Sequence, residues 1–130
     1  MRREIVIHSL GHAEAALAAA STCGKPVILT SAPGAALYVG PAWFEAVIEE
    51  AQKRYPGVAV TAILDCGDQP GAVMAALRAG LKHLRFQGSA EMRRKLAEMG
   101  AVFAEPADRV LDLLEIKEPE TACAAFLGKD

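Results

Sequence analysis

Val58-Ala59-Val60-Thr61-Ala62-Ile63-Leu64 runs without a break into Asp65-Cys66-Gly67-Asp68-Gln69-Pro70-Gly71. An apolar, β-branched run followed by a polar, glycine-bearing turn and a proline describes a strand covered on both faces that hands over to a helix. Strands of that kind belong to parallel sheets, so this segment is expected at the centre of an α/β domain. Ligands of open parallel sheets sit beyond the carboxyl ends of the strands, which places Asp65, Cys66 and Asp68 where chemistry is expected. Asp68 is positioned to cap a helix carrying Val73, Met74 and Leu77, and Gly80 to close it.

The alternation of strand and helix extends in both directions. Upstream, Glu4-Ile5-Val6-Ile7 is a short strand ending at His8-Ser9-Leu10-Gly11, and the alanines from Ala13 to Ala20 form a helix whose small side chains permit close packing. His8 and His12 fall at this strand-to-helix junction, where a capping or surface role is expected of each. Lys25-Pro26-Val27-Ile28-Leu29-Thr30 is a second strand, and Ser31-Ala32-Pro33-Gly34-Ala35-Ala36 reads as a loop. Pro41 suits the first position of a helix in which Phe44, Val47, Ile48 and Ala51 share one face, and Tyr55-Pro56-Gly57 stops it. Downstream, Leu81 to Phe86 is a fourth strand carrying Lys82, His83 and Arg85, and Gln87-Gly88-Ser89 leads into a helix with Met92, Leu96 and Met99 on one side. Ala101-Val102-Phe103-Ala104 is a fifth strand. A helical turn through Val110, Leu111 and Leu114 and a terminal helix or docking segment over Pro119 to Leu127 are expected after it.

At 130 residues, 52% apolar and 23% charged, the chain suits one domain spanning residues 1–130. A net charge of −2 and a pI near 5.9 give no footprint for nucleic acid or an anionic membrane. Aromatic residues at 5% are too few for a base-stacking platform. No apolar run has the length of a signal-peptide core or a membrane span, so a cytoplasmic location is expected. Cys23, Cys66 and Cys123 form no Cys-x-x-Cys pair, which argues against a disulfide framework or a zinc knuckle and for reduced thiols.

From Lys25 to Ser89 the order and spacing of several short features resemble the class II fructose-bisphosphate aldolases. The matching positions are Gly34-Ala35, Tyr38, Tyr55-Pro56, Leu64-Asp65-Cys66-Gly67, Ala76 with Gly80, and Gly88-Ser89. In that family the second strand of this stretch ends in Leu-Asp-His-Gly, where the aspartate transfers a proton and the histidine binds zinc. The resemblance therefore implies a catalytic role for Asp65 and puts Cys66 at the zinc ligand's place. Cysteine can bind zinc as a thiolate. The family's remaining ligands come from the second half of a barrel, for which this chain has no counterpart. A serine that the family uses for phosphate aligns with Ala32, beside Ser31, and an acidic position aligns with Gln87. No cofactor is predicted, no metal site is assigned, and zinc is not expected.

An incomplete barrel with helices only outside would leave an apolar inner face in water at roughly 25 cal/mol per Å². The fold expected is therefore a parallel five-stranded sheet with flanking helices, a flavodoxin-like three-layer arrangement being favoured over a half TIM barrel completed by dimerisation. The expected function is that of an aldolase-related domain, not an active class II aldolase, that binds a small anionic metabolite or a protein partner. Ser31, Gly34, Tyr38, Asp68, Arg85 and Ser89 are its candidate ligand contacts. Two alternatives stand beside it. One is an enzyme of altered chemistry using Asp65 and Cys66 and completed by another subunit, with His83 or Arg85 favouring the thiolate. The other is a structural homodimerisation domain.

Overall fold

In a computed structural model describing residues 1–128, six strands form one parallel sheet. In chain order the elements are β1 (Arg3–Val6), α1 (Leu10–Cys23), β2 (Val27–Thr30), a 3-10 turn (Ala35–Leu37), α2 (Pro41–Arg54), β3 (Val60–Asp65) and α3 (Pro70–Arg78). They continue with β4 (His83–Arg85), α4 (Ala90–Glu98), β5 (Val102–Phe103), β6 (Arg109–Asp112) and α5 (Pro119–Leu127). The expected parallel α/β sheet with flanking helices is present, with six strands where five were expected. The sixth is Arg109–Asp112, which the apolar spacing of Val110, Leu111 and Leu114 had suggested as a helical turn. It pairs along its whole length with β1, Arg3 opposite Arg109 and Val6 opposite Asp112.

The strand order is β5-β4-β3-β2-β1-β6. From β1 to β5 every crossover steps in the same direction, and right-handed crossovers that never reverse put all their helices on one face. The helices pack in the matching sequence, α1 against both α2 and α5, α2 against α3, and α3 against α4. This is the order of a half barrel. A flavodoxin-like sheet reverses direction after its first crossover to place helices on both faces, and this sheet does not.

Between sheet and helices lies the core, with Ile5, Ile7, Leu29, Leu64 and Leu84 from the strands meeting Leu17, Phe44, Val73 and Leu96 from the helices. The alanines of α1 allow the close approaches expected of them: Ala13, Ala16, Ala19 and Ala20 are all fully buried. Because side chains alternate along a strand, Glu4, Thr30, Ile63 and Arg85 point to the opposite face.

That face is concave. Laid flat, six strands would separate β5 from β6 by about 24 Å at 4.8 Å per step. The link from Phe103 to Arg109 reaches at most roughly 21 Å at about 3.5 Å per residue. The sheet must curl, and the segment 104–108 then crosses its hollow as a strap. Ala104 N–H donates to Leu84 O at 2.9 Å, Arg85 Nη2 to Glu105 O at 3.0 Å, and Asp108 N–H to Arg2 O at 2.8 Å.

Inside the hollow, Glu4 on β1 reaches Arg85 three strands away through two bonds of 2.8 Å, one to each carboxylate oxygen, while Arg2 Nε adds a third at 3.0 Å. Glu4 is only 1% exposed. Burial by itself would raise its pKa, but the hydrogen bonds and charges of Arg85 and Arg2 outweigh that and hold it below the ordinary value. The same bonds raise Arg85. The apolar inner face anticipated from the sequence is thus filled from within the chain, by an ion pair and a strap.

Candidate functional site

The carboxyl end of β3 is a hydrogen-bonded clamp. Asp65 Oδ1 accepts from Gly67 N–H at 2.9 Å and from Gly34 N–H at 3.0 Å, while Ser31 Oγ accepts from Asp65 N–H at 2.9 Å and donates to Ala32 O at 3.2 Å. Gly67 holds φ 59°, a left-handed conformation that a side chain would strain. One carboxylate and one hydroxyl thereby tie the loop after β2 to the turn after β3. The Gly34 and Gly67 N–H groups, which an anion would use, are already engaged by Asp65.

Cys66 follows Asp65 and therefore turns to the helix side, where it is fully buried. Its Sγ sits 3.8 Å from Leu64 O, and burial, helped by the charge of Asp65, pushes its thiol up to about 11. Full burial and the raised pKa both work against a thiolate at this position at neutral pH. The zinc implied by the family resemblance does not fit this position. Among the described residues no group of three His, Cys, Asp or Glu side chains is arranged to hold a metal ion.

The other sequence candidates disperse. Asp68 does not cap α3; Gln69 holds the N-cap position without a side-chain bond, Pro70 opens the helix, and exposed Asp68 accepts from Gln69 Nε2 at 2.9 Å. Asp68 thus lies one residue before the position from which a side chain reaches the first free N–H groups of the helix. Arg85 is committed to Glu4 and Glu105. Ser89 caps α4, its Oγ accepting from Met92 N–H at 3.1 Å. His83 lies on β4, one residue before core residue Leu84 and two before Arg85.

Ser31 and Tyr38 do meet. They line a cavity of about 120 Å³ at the carboxyl ends of β1 and β2, together with Ile7, His8, Val39 and Trp43. Such a volume holds roughly four waters at about 30 Å³ each. Its wall is mostly apolar, with the imidazole, hydroxyl and phenol as polar groups. Larger clefts lie elsewhere, one of about 560 Å³ among the outer helices near Glu14, Arg54 and Glu120, away from the strand ends.

His8 is held from several sides. Its Nε2 is 2.6 Å from Asp112 Oδ1 at the end of β6, and its backbone N–H donates to His12 Nδ1 at 3.0 Å. The two rings meet edge to face at 5.7 Å. Asp112 Oδ1 also accepts from Leu114 N–H at 2.9 Å. Partial burial would raise Asp112, but the Leu114 N–H and His8 keep its carboxyl below the usual range. His12 is lowered by burial and by the charge of His8, against the pull of Asp112. Ser9 is the cap of α1, its Oγ accepting from His12 N–H at 3.1 Å, while the His12 ring accepts the His8 N–H just before that cap. Asp112 had no local signal, since its partner lies 104 residues away in sequence.

A parallel sheet in half-barrel order, with its polar side chains and cavity gathered at the carboxyl ends of the strands, defines an α/β domain of half-barrel type. Residues 3–105 match the model of the family described as fructose-bisphosphate aldolase class-II, and the chain belongs to that family. Among curated relatives it is 28% identical over 83 residues to a plasmid-encoded fructose-bisphosphate aldolase of Cupriavidus necator, covering 64% of this chain and 24% of the relative. It is 29% identical over 83 residues to the fructose-bisphosphate aldolase of Xanthobacter flavus, covering 64% of this chain and 23% of that one. The chain thus spans about a quarter of the length of these relatives. A crystal structure described as a fructose-1,6-biphosphate aldolase from Coccidioides immitis superposes with a TM-score of 0.61 at 18% identity, over 99% of this chain and 53% of that one. The family match ends just before β6 and α5.

Proposed function

We propose that this domain binds a small molecule at the carboxyl rim of its sheet and does not carry out the metal-dependent aldol cleavage of its family. The observation that carries the reading is the cavity lined by His8, Ser31, Tyr38 and Trp43, at the strand ends where parallel sheets hold their ligands. The buried thiol of Cys66 at the zinc ligand's place supports the second half of the statement.

The anionic metabolite expected from the sequence has less support than a hydroxylated one. Arg85 and the Gly34 N–H, two of its expected partners, are engaged within the chain, as is the neighbouring Gly67 N–H. Two measurements test the reading. Cleavage of fructose bisphosphate with zinc supplied should stay at the uncatalysed background. In a fragment screen followed by amide NMR, hits should move Ser31, Tyr38 and Trp43 together, and hits confined to other surfaces would remove the proposed site.

A second reading is a protein partner, either another chain or a second copy of this one, favoured by the exposure of Leu37, Tyr38 and Val39 on the loop after β2. Concentration-independent monomer mass by light scattering would remove the homodimer form of it.

A further inference from the structure

The cavity at the rim contains a histidine with an oriented and unused acceptor. Asp112, held below the usual carboxylate range, is ionised at neutral pH and has no proton to give. The 2.6 Å contact with His8 Nε2 therefore requires that this nitrogen donate. In neutral His8 the lone pair must then lie on Nδ1. Among the described residues no hydrogen bond engages that Nδ1, whereas the corresponding atom of His12 is taken by the His8 backbone N–H.

The imidazole is fixed at both ends of its attachment. Leu114 N–H pins the carboxylate that orients the ring, and His12 pins the backbone from which the ring extends. Three elements, α1, β6 and the end of β1, are used to hold one side chain on the wall of the cavity. Ser31 lies on that wall as well, but its hydroxyl is occupied by Asp65 N–H and Ala32 O.

We propose that His8 is the recognition residue of this cavity, accepting a hydrogen bond at Nδ1 from the hydroxyl of a short, otherwise apolar ligand, with Asp112 as its positioning residue. The inference rests on the small-molecule reading of the rim and names its ligand class. A cavity holding roughly four waters admits a molecule of about four or five heavy atoms, or one such end of a longer ligand. Val39, Ile7 and Trp43 receive its carbon skeleton, and His8 distinguishes a donor from an acceptor. The polar groups around His8 are Asp112 from β6 and His12 from α1, with the Tyr38 phenol on the cavity wall.

Isopropanol and acetone give a matched test, having the same heavy-atom skeleton but opposite hydrogen-bonding capacity. Ring ¹⁵N spectra of the full chain should show His8 with its proton on Nε2. Isopropanol should shift the His8 and Trp43 ring signals saturably and bind roughly three- to tenfold more tightly than acetone, the worth of one hydrogen bond. Asp112→Asn should release the tautomer and reduce that preference, while amide spectra report that the fold persists. Equal binding of the two probes, or a proton on Nδ1, overturns the role of His8 and leaves the cavity reading standing. Failure of both probes to bind overturns the cavity reading as well.

Discussion

Replacing Arg85 by Met keeps most of the side chain's bulk but removes the guanidinium that meets Glu4 across the hollow of the sheet. Glu4, 1% exposed in the native protein, would be left with Arg2 at 3.0 Å as its remaining side-chain partner. Breaking a buried ion pair by removing one member costs about 3–5 kcal/mol, because the other charge stays desolvated. The surviving Arg2 bond puts the expectation for Arg85→Met near the lower end, about 3 kcal/mol. That is a large share of the roughly 5–15 kcal/mol that holds a domain folded. Urea unfolding at neutral pH should show the loss as a lowered midpoint with little change in slope. Glu4→Gln in the same background should recover part of it, with a coupling energy of about 1–3 kcal/mol in the double-mutant cycle.

The pH dependence carries a defined sign. The folded pKa of Glu4 is depressed, so its contribution to stability is fully present above the ordinary value of 4.5 and is lost as pH falls through the folded value. The stability difference between wild type and Arg85→Met should therefore shrink below about pH 4.5. A variant within about 0.5 kcal/mol of wild type at neutral pH, the range of an ordinary surface substitution, would refute the argument that this pair fills the hollow.

Two further expectations concern the turn after β3. With a thiol near 11, Cys66 has a thiolate fraction on the order of 10⁻⁴ at pH 7, and its burial blocks access, so a maleimide should label half-buried Cys23 well before Cys66. Rapid modification of Cys66 in the native protein, located by mass spectrometry, would contradict its assignment to the core. Asp65→Ala strips the acceptor from the Gly34 and Gly67 N–H groups and should cost about 1–3 kcal/mol, with faster hydrogen exchange at Gly34. Asp65→Asn retains a carbonyl oxygen and should cost less; equal losses in the two variants would mean that the oxygen is not the clamp.

The local grammar of the chain was legible where a pattern and its consequence lie within a few residues of each other. Pro41 opens α2, Phe44, Val47, Ile48 and Ala51 face the core, and the run through Leu64 is a central strand that delivers Asp65 to the rim. The errors arose where a short segment depends on a distant partner. Arg109–Asp112 has too few residues for its period to separate strand from helix, and only β1, about a hundred positions earlier, makes it a strand. Strand order was illegible for the same reason, because single βα units read alike in an open sheet and in a half barrel. Of the candidate site, Ser31, Gly34 and Asp65 do converge, but as each other's partners. Asp68 lost its expected cap because α3 begins at Pro70 with Gln69 at the N-cap, which leaves Asp68 one residue too early. Arg85, read as a free positive charge, had its partner hidden at Glu4, a carboxylate inside an otherwise β-branched strand. That buried carboxylate was the available signal: a glutamate alternating with Ile5 and Ile7 demands a cation on its own face.

The pairing of β6 with β1 also bears on the order in which this chain can fold. The contacts joining β1 through β5 link neighbouring βα units and can accumulate as the units are synthesised, whereas Arg3 meets Arg109 only after a loop of more than a hundred residues closes. Until that closure, the backbone amides and carbonyls along one side of β1 are unsatisfied and open to pairing with another molecule. Among the described residues, a strand near the end of the fold therefore covers an aggregation template near its start, and substitutions that weaken β6 or α5 should reveal themselves as insoluble product before they reveal themselves as lost binding.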